Sequence, residues 1–147
     1  MRAYLDAGFL LALLINSEKG GPIASQLLRD LEGPFHLNFL HQLQAENFLV
    51  SLQKAKALNR QAAGTEGLRL WRNYVAEGIF QVGPVDWHSA FRLAISWNSH
   101  SNQPPPFLLL LHPALAFAEG ATHILSFDPR TRDVARAAGI QPLPATL

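Results

Sequence analysis

Two aspartates stand where the chain leaves a short apolar run and enters a helix. Asp6 follows Arg2-Ala3-Tyr4-Leu5, and Asp128 follows Thr122-His123-Ile124-Leu125-Ser126-Phe127. Aspartate is a favoured N-cap because its carboxylate accepts the unpaired amide hydrogens of a first helical turn, so each one taken singly reads as a cap. Taken together, at the ends of two apolar strands, they read as a hard-cation site. Mg²⁺ takes oxygen ligands and keeps several of its own waters. Ligands gather at the carboxyl ends of strands in a parallel sheet, so the second reading requires that the chain build one.

The punctuation of the chain supports such a sheet. After the strand over 2–5 a helix opens at Ala7. Gly20-Gly21-Pro22 breaks the chain, with Pro22 suited to the first turn of a helix running to about Leu31. Gly33-Pro34 ends it, a strand follows over 35–37, and Asn38 caps a long helix to about Leu58. Residues 60–78 form a helix with Leu68, Trp71 and Val75 on one face. A strand over 79–82, a helix capped by Asp86 and running to about His100, and the loop Asn102-Gln103-Pro104-Pro105-Pro106 come next. A helix from Phe107, the strand ending at Asp128, a helix over 129–138 and a strand over 140–143 complete the order. Strands alternating with helices imply a parallel sheet with helices on both faces.

Length and composition narrow the class. A chain of 147 residues is long enough for one domain and its core, and too short for two. Its 48% hydrophobic and 16% charged residues place it among globular rather than disordered chains. With 12 basic against 11 acidic residues there is no electrostatic footprint for tight nucleic-acid binding, so any RNA contact is local. The absence of cysteine excludes disulfides and thiolate metal sites and suits a reducing cytoplasm. The apolar run from Phe9 to Ile15 is too short for a membrane span and follows Asp6 rather than a basic leader, so it reads as core.

Three stretches, YLDAGFLLALL, LHQLQAENFLVSL and LHPALAFAEGATHILSFDPRTRDVARAAGI, resemble a PIN domain of the VapC type. The resemblance covers nearly the whole chain, and the spacing of the final stretch is its most specific part. It implies a single domain over 1–147 with a PIN-like three-layer α/β fold, a central parallel β-sheet flanked by helices. It also implies a cluster of acidic residues that holds Mg²⁺ or Mn²⁺ for attack on an RNA phosphodiester, usually in the toxin half of a toxin–antitoxin pair.

Carried over position by position, the resemblance gives a mixed site. Asp6 matches the first aspartate of the family, although Ala7-Gly8 replace the hydroxyl pair that follows it. Asp128 matches the late Thr/Ser-x-Asp motif, with Ser126 as its hydroxyl. Counting back from Asn47 puts Gln44 at the position of the middle glutamate. Counting back from Gly120, with His112 as a second anchor, puts Leu109 at the third aspartate. Clustered carboxylates repel one another and need a divalent cation, so losing two lowers both that repulsion and the affinity for Mg²⁺. Gln44 can offer a neutral carbonyl oxygen, and Leu109 offers no ligand. Glu46 is the possible substitute, but two residues along a helix is a rotation of about 200°, which turns it from the face of Gln44. His41 and His112 each lie one turn from a vacated position. They read either as ligands for a softer metal such as Zn²⁺ or Mn²⁺, or as supporting and packing residues.

The losses favour a binding protein that keeps the dimer and antitoxin surfaces of the family, with weak or absent Mg²⁺ or Mn²⁺ binding and impaired or lost ribonuclease activity. The alternative is an active Mg²⁺- or Mn²⁺-dependent endoribonuclease that works with Asp6, Asp128 and Glu46. A homodimer, a small antitoxin protein and, if active, RNA are the expected partners. Lys54, Lys56 and Arg60, and Arg130, Arg132 and Arg136, read as solvated faces or as phosphate contacts. Trp71, Trp87 and Trp97, at helical spacing with other apolar residues, read as core rather than as base-stacking residues. The apolar stretches 9–15 and 23–31 read as a groove for a partner helix, as core or as dimer surface.

Overall fold

The computed structural model describes residues 1–17, 19–100 and 106–146. In chain order the elements are β1 (Ala3–Leu5), α1 (Ala7–Leu14), α2 (Gly21–Asp30), β2 (Phe35–Leu37), α3 (Phe39–Gln53) and α4 (Leu58–Ala76). There follow β3 (Phe80–Val82), α5 (Trp87–Ser99), α6 (Phe107–Ala118), β4 (His123–Leu125), α7 (Pro129–Ala137) and β5 (Gln141–Leu143). Residues 102–105 of the expected proline-rich loop lie outside the described residues, and Pro106 stands at the N-cap of α6. The protein is α/β with parallel pairing throughout, as expected. Among the described residues the hydrogen-bonded ladders are β1-β4-β5 and β2-β3. No helix among the described residues is long and apolar enough to cross a membrane.

The chain divides into two compact units. One joins Met1–Asp6 to Pro84–Leu147. In it β4 is central, pairing Leu5 with Leu125 on one side and Leu125 with Leu143 on the other. A central strand has both faces covered, which suits the apolar run at Ile124 and Leu125, both fully buried. At the β5 edge the Gln141 amide donates inward to the Thr122 carbonyl, so the next residue, Pro142, faces outward, where a missing N–H breaks no ladder bond. Both α6 and α7 stop at a glycine with positive φ, Gly120 and Gly139. The following amides, of Ala121 and Ile140, reach back to the carbonyls of Ala116 and Ala135. That reversal needs a left-handed residue, which glycine adopts without steric cost.

The second unit is Ala7–Gly83. Its strands pair Phe35 with Phe80 and Leu37 with Val82. The aromatic rings of Phe35, Trp71 and Tyr74 surround that of Phe80. Helices α3 and α4 lie close because Gly64 and Gly67 carry no side chain at the crossing. A Cβ on Gly64 would sit 2.6 Å from the Leu49 carbonyl oxygen. Asn38 caps α3 as expected, accepting from the Leu40 amide, while its own amide donates to Nδ1 of His41.

Several boundaries differ from the sequence reading. Helix α3 ends at Gln53 rather than near Leu58, and α4 begins at Leu58. The Lys54-Ala55-Lys56-Ala57 break is made of good helix formers, so local propensity does not announce it. A distant donor satisfies its backbone instead, the Gln61 side chain bonding to the Ala55 carbonyl at 2.7 Å. Val75 is exposed, and α4 buries Gly64, Gly67, Leu68 and Trp71. Of the tryptophans only Trp71 is core, Trp87 and Trp97 being half-buried.

Candidate functional site

Strand β1 delivers Asp6 and strand β4 delivers Asp128 to the same sheet edge. The Asp6 amide donates to the Leu125 carbonyl at 3.0 Å, extending the β1–β4 ladder by one residue, and Asp128 lies three residues past Leu125. Both aspartates therefore stand at the carboxyl end of paired parallel strands, the place the sequence reading assigned them. Asp6 is buried.

Asp128 is shaped by the helix it opens. One carboxylate oxygen accepts the Arg130 amide at 3.2 Å and the other accepts the Thr131 hydroxyl at 2.9 Å. The Arg130 guanidinium stands 3.7 Å away. Ser126, fully buried, accepts the Asp128 amide on its hydroxyl at 3.2 Å and so holds the turn. The N-cap reading is thus correct for Asp128, whose remaining lone pairs and partial exposure leave it able to meet one further partner.

Leu109 lies half-buried in the first turn of α6, its amide bonded to the Pro106 carbonyl at 2.9 Å. Its side chain brings no oxygen. One turn later, buried His112 has its Nδ1 2.9 Å from the Tyr4 hydroxyl. In the other unit Nδ1 of buried His41 accepts the Asn38 amide, which requires the ring proton on Nε2. Each histidine thus has a bonding partner at Nδ1 within its own unit.

The middle helix places its residues in three different settings. Gln44 is half-buried, and Asn47 is exposed with its carbonyl bonded to the Ser51 hydroxyl. Glu46 is neither free nor merely solvated. Its Oε1 accepts from Gln42 at 3.1 Å and from the Trp71 indole at 3.2 Å, tying α3 to α4.

Leu109 supplies nothing, both Asp128 oxygens serve the α7 cap, and Glu46 holds Trp71. Among the described residues no group of three His, Asp or Glu side chains is arranged to hold a metal ion.

Arg132 and Thr131 shape this edge and were missed or misread from sequence. Arg132 is buried, not on a solvated or RNA-facing surface, whereas Arg130 and Arg136 are exposed. The signal was available in the spacing. Positions 128, 131, 132 and 135 fall on one helical face, and Ala135 marks that face as inward. No protein-family model and no curated protein matches the chain.

Proposed function

We propose that the protein is a VapC-like PIN-domain protein whose metal-dependent endoribonuclease activity is impaired or lost, and which acts as a binding module. In this reading the parallel strands belong to one PIN-like three-layer fold with a central sheet. The observation that carries the loss of activity is Leu109, a residue without a ligand atom in the helical turn where the family resemblance requires an aspartate. Metal in such sites generates the hydroxide nucleophile and steadies the leaving oxygen, so weak occupancy lowers the rate directly. The cysteine-free composition agrees with a cytoplasmic setting.

Exposed apolar side chains support the binding half of the reading. Phe91 and Ile95 on α5 and Phe107 and Leu108 on α6 face solvent, with the Phe91 and Phe107 rings stacked at 5.8 Å. Clustered apolar surface of this kind marks interaction sites. We assign it to a homodimer or a small antitoxin-type partner. Sedimentation at micromolar concentration should show more than a monomer, and a clean monomer would count against the homodimer.

The alternative, an active endoribonuclease, draws on the placement of Asp6 and Asp128 at one sheet edge. Mn²⁺ titration and RNA cleavage separate the two. The wild type should bind weakly and cut slowly or not at all, whereas Gln44→Glu combined with Leu109→Asp should gain Mn²⁺ affinity. Tight binding and rapid cleavage by the wild type would establish the alternative instead.

A further inference from the structure

The Arg132 side chain enters α7's inner face, and no carboxylate pairs with it among the described residues. Its partners are backbone carbonyls. Nη1 donates to Ser126 at 2.9 Å, and Nη2 donates to Pro144 at 2.7 Å and Ala145 at 3.5 Å. Burial pushes the guanidinium below its ordinary pKa, helped by the nearby Arg136 charge and opposed by Asp133. The Ser126 amide donates to the Leu143 carbonyl at 3.1 Å, and its hydroxyl accepts the Asp128 amide. The Asp128 carbonyl in turn accepts the Arg132 amide at 3.1 Å, which closes a ring of bonds around the turn.

We propose that Arg132 is a positioning residue that couples the segment at Pro144 and Ala145 to the turn presenting the Asp128 carboxylate. Charge-assisted bonds from one rigid guanidinium fork hold three carbonyls from two parts of the chain, so the 144–145 segment and the turn loosen or tighten together. A neutral side chain at this position leaves buried acceptors unsatisfied at both ends. The coupling depends on the turn alone and not on whether the edge cleaves RNA. Amide exchange reads the first, and the RNA assay reads the second.

The test is amide hydrogen exchange on the full chain. Arg132→Gln should speed exchange at the Asp128 and Arg130 amides by about tenfold or more while the α6 amides keep their protection, because only the turn opens. Arg132→Lys, with a point charge in place of the fork, should recover part of that protection. A uniform rise through α6 and α7, or an unchanged rate at Asp128 and Arg130, overturns the proposal. If the glutamine variant does not fold, Arg132→Lys and Asp128→Asn are combined in a double-mutant cycle of unfolding. Coupled sites give a non-additive result, and strict additivity also overturns the proposal.

Discussion

Tyr4 on β1 and His112 on α6 are 108 residues apart in sequence and 2.9 Å apart between the phenol oxygen and the imidazole Nδ1. Both are buried, so the bond joins the first strand to the helix that carries Leu109 in a setting water does not reach. Tyr4→Phe keeps the ring and removes the hydroxyl. It should lower unfolding free energy by about 1 kcal/mol, measured by urea denaturation, because the imidazole loses a buried partner. If His112 served a metal instead, the same substitution would leave stability unchanged and shift Zn²⁺ or Mn²⁺ affinity.

For Asp128, capping and charge repulsion make opposite predictions. As the α7 cap it accepts an amide and a hydroxyl, so Asp128→Ala should destabilise by about 1 kcal/mol. Asp128→Asn, which keeps an acceptor, should cost less. Crowded carboxylates in a metal-free site would repel, and alanine would then raise the thermal midpoint.

Glu46→Ala should act on stability, not on metal. The substitution leaves the Trp71 indole N–H without this acceptor in a half-buried contact, with an expected loss of roughly 1–2 kcal/mol. Mn²⁺ affinity should be unchanged by calorimetry. A variant of normal stability that no longer binds Mn²⁺ would make Glu46 the substitute ligand after all.

Asp86 provides the pH dependence. Hydrogen bonds from the Ser89 hydroxyl and then the Ser89 amide hold its carboxyl below the ordinary value. A carboxyl depressed on folding stabilises the fold above its unfolded pKa of about 3.9. That contribution is lost as pH falls through the folded value. Thermal midpoints of wild type and Ser89→Ala should therefore differ at pH 7 and converge in stronger acid. A gap that stays constant down to low pH would mean that the Ser89 contribution does not run through the Asp86 charge.

What could be read from sequence follows the range of the forces involved. Asp128, Asn38 and Asp86 announced themselves because capping is settled within one helical turn. Parallel pairing was legible from the alternation of apolar strands with helices. The break after Gln53 was not, since Lys54 to Ala57 favour helix and the bond that satisfies Ala55 comes from Gln61 on the next helix. The bond from the Trp71 indole to Glu46 was not legible either, because the two residues lie 25 positions apart on different helices. Arg132 was misplaced by treating arginine as a surface residue, although its helical spacing with Ala135 pointed inward.

The membership of β1 in the unit that also holds residues 84–147 has a consequence for timing. Tyr4 and Leu5 leave the ribosome before all of their ladder partners, and Ile124 and Leu125 follow 120 residues later. At ordinary elongation rates that interval is roughly 6–24 s, ample for the intervening stretch 7–83 to form its own helices and strand pair. Strand β1 is thus made before β2 and β3 yet paired after them. Until then its apolar side chains are a target for chaperones, and nascent chains halted before residue 123 should be bound by them more strongly than chains halted after residue 143.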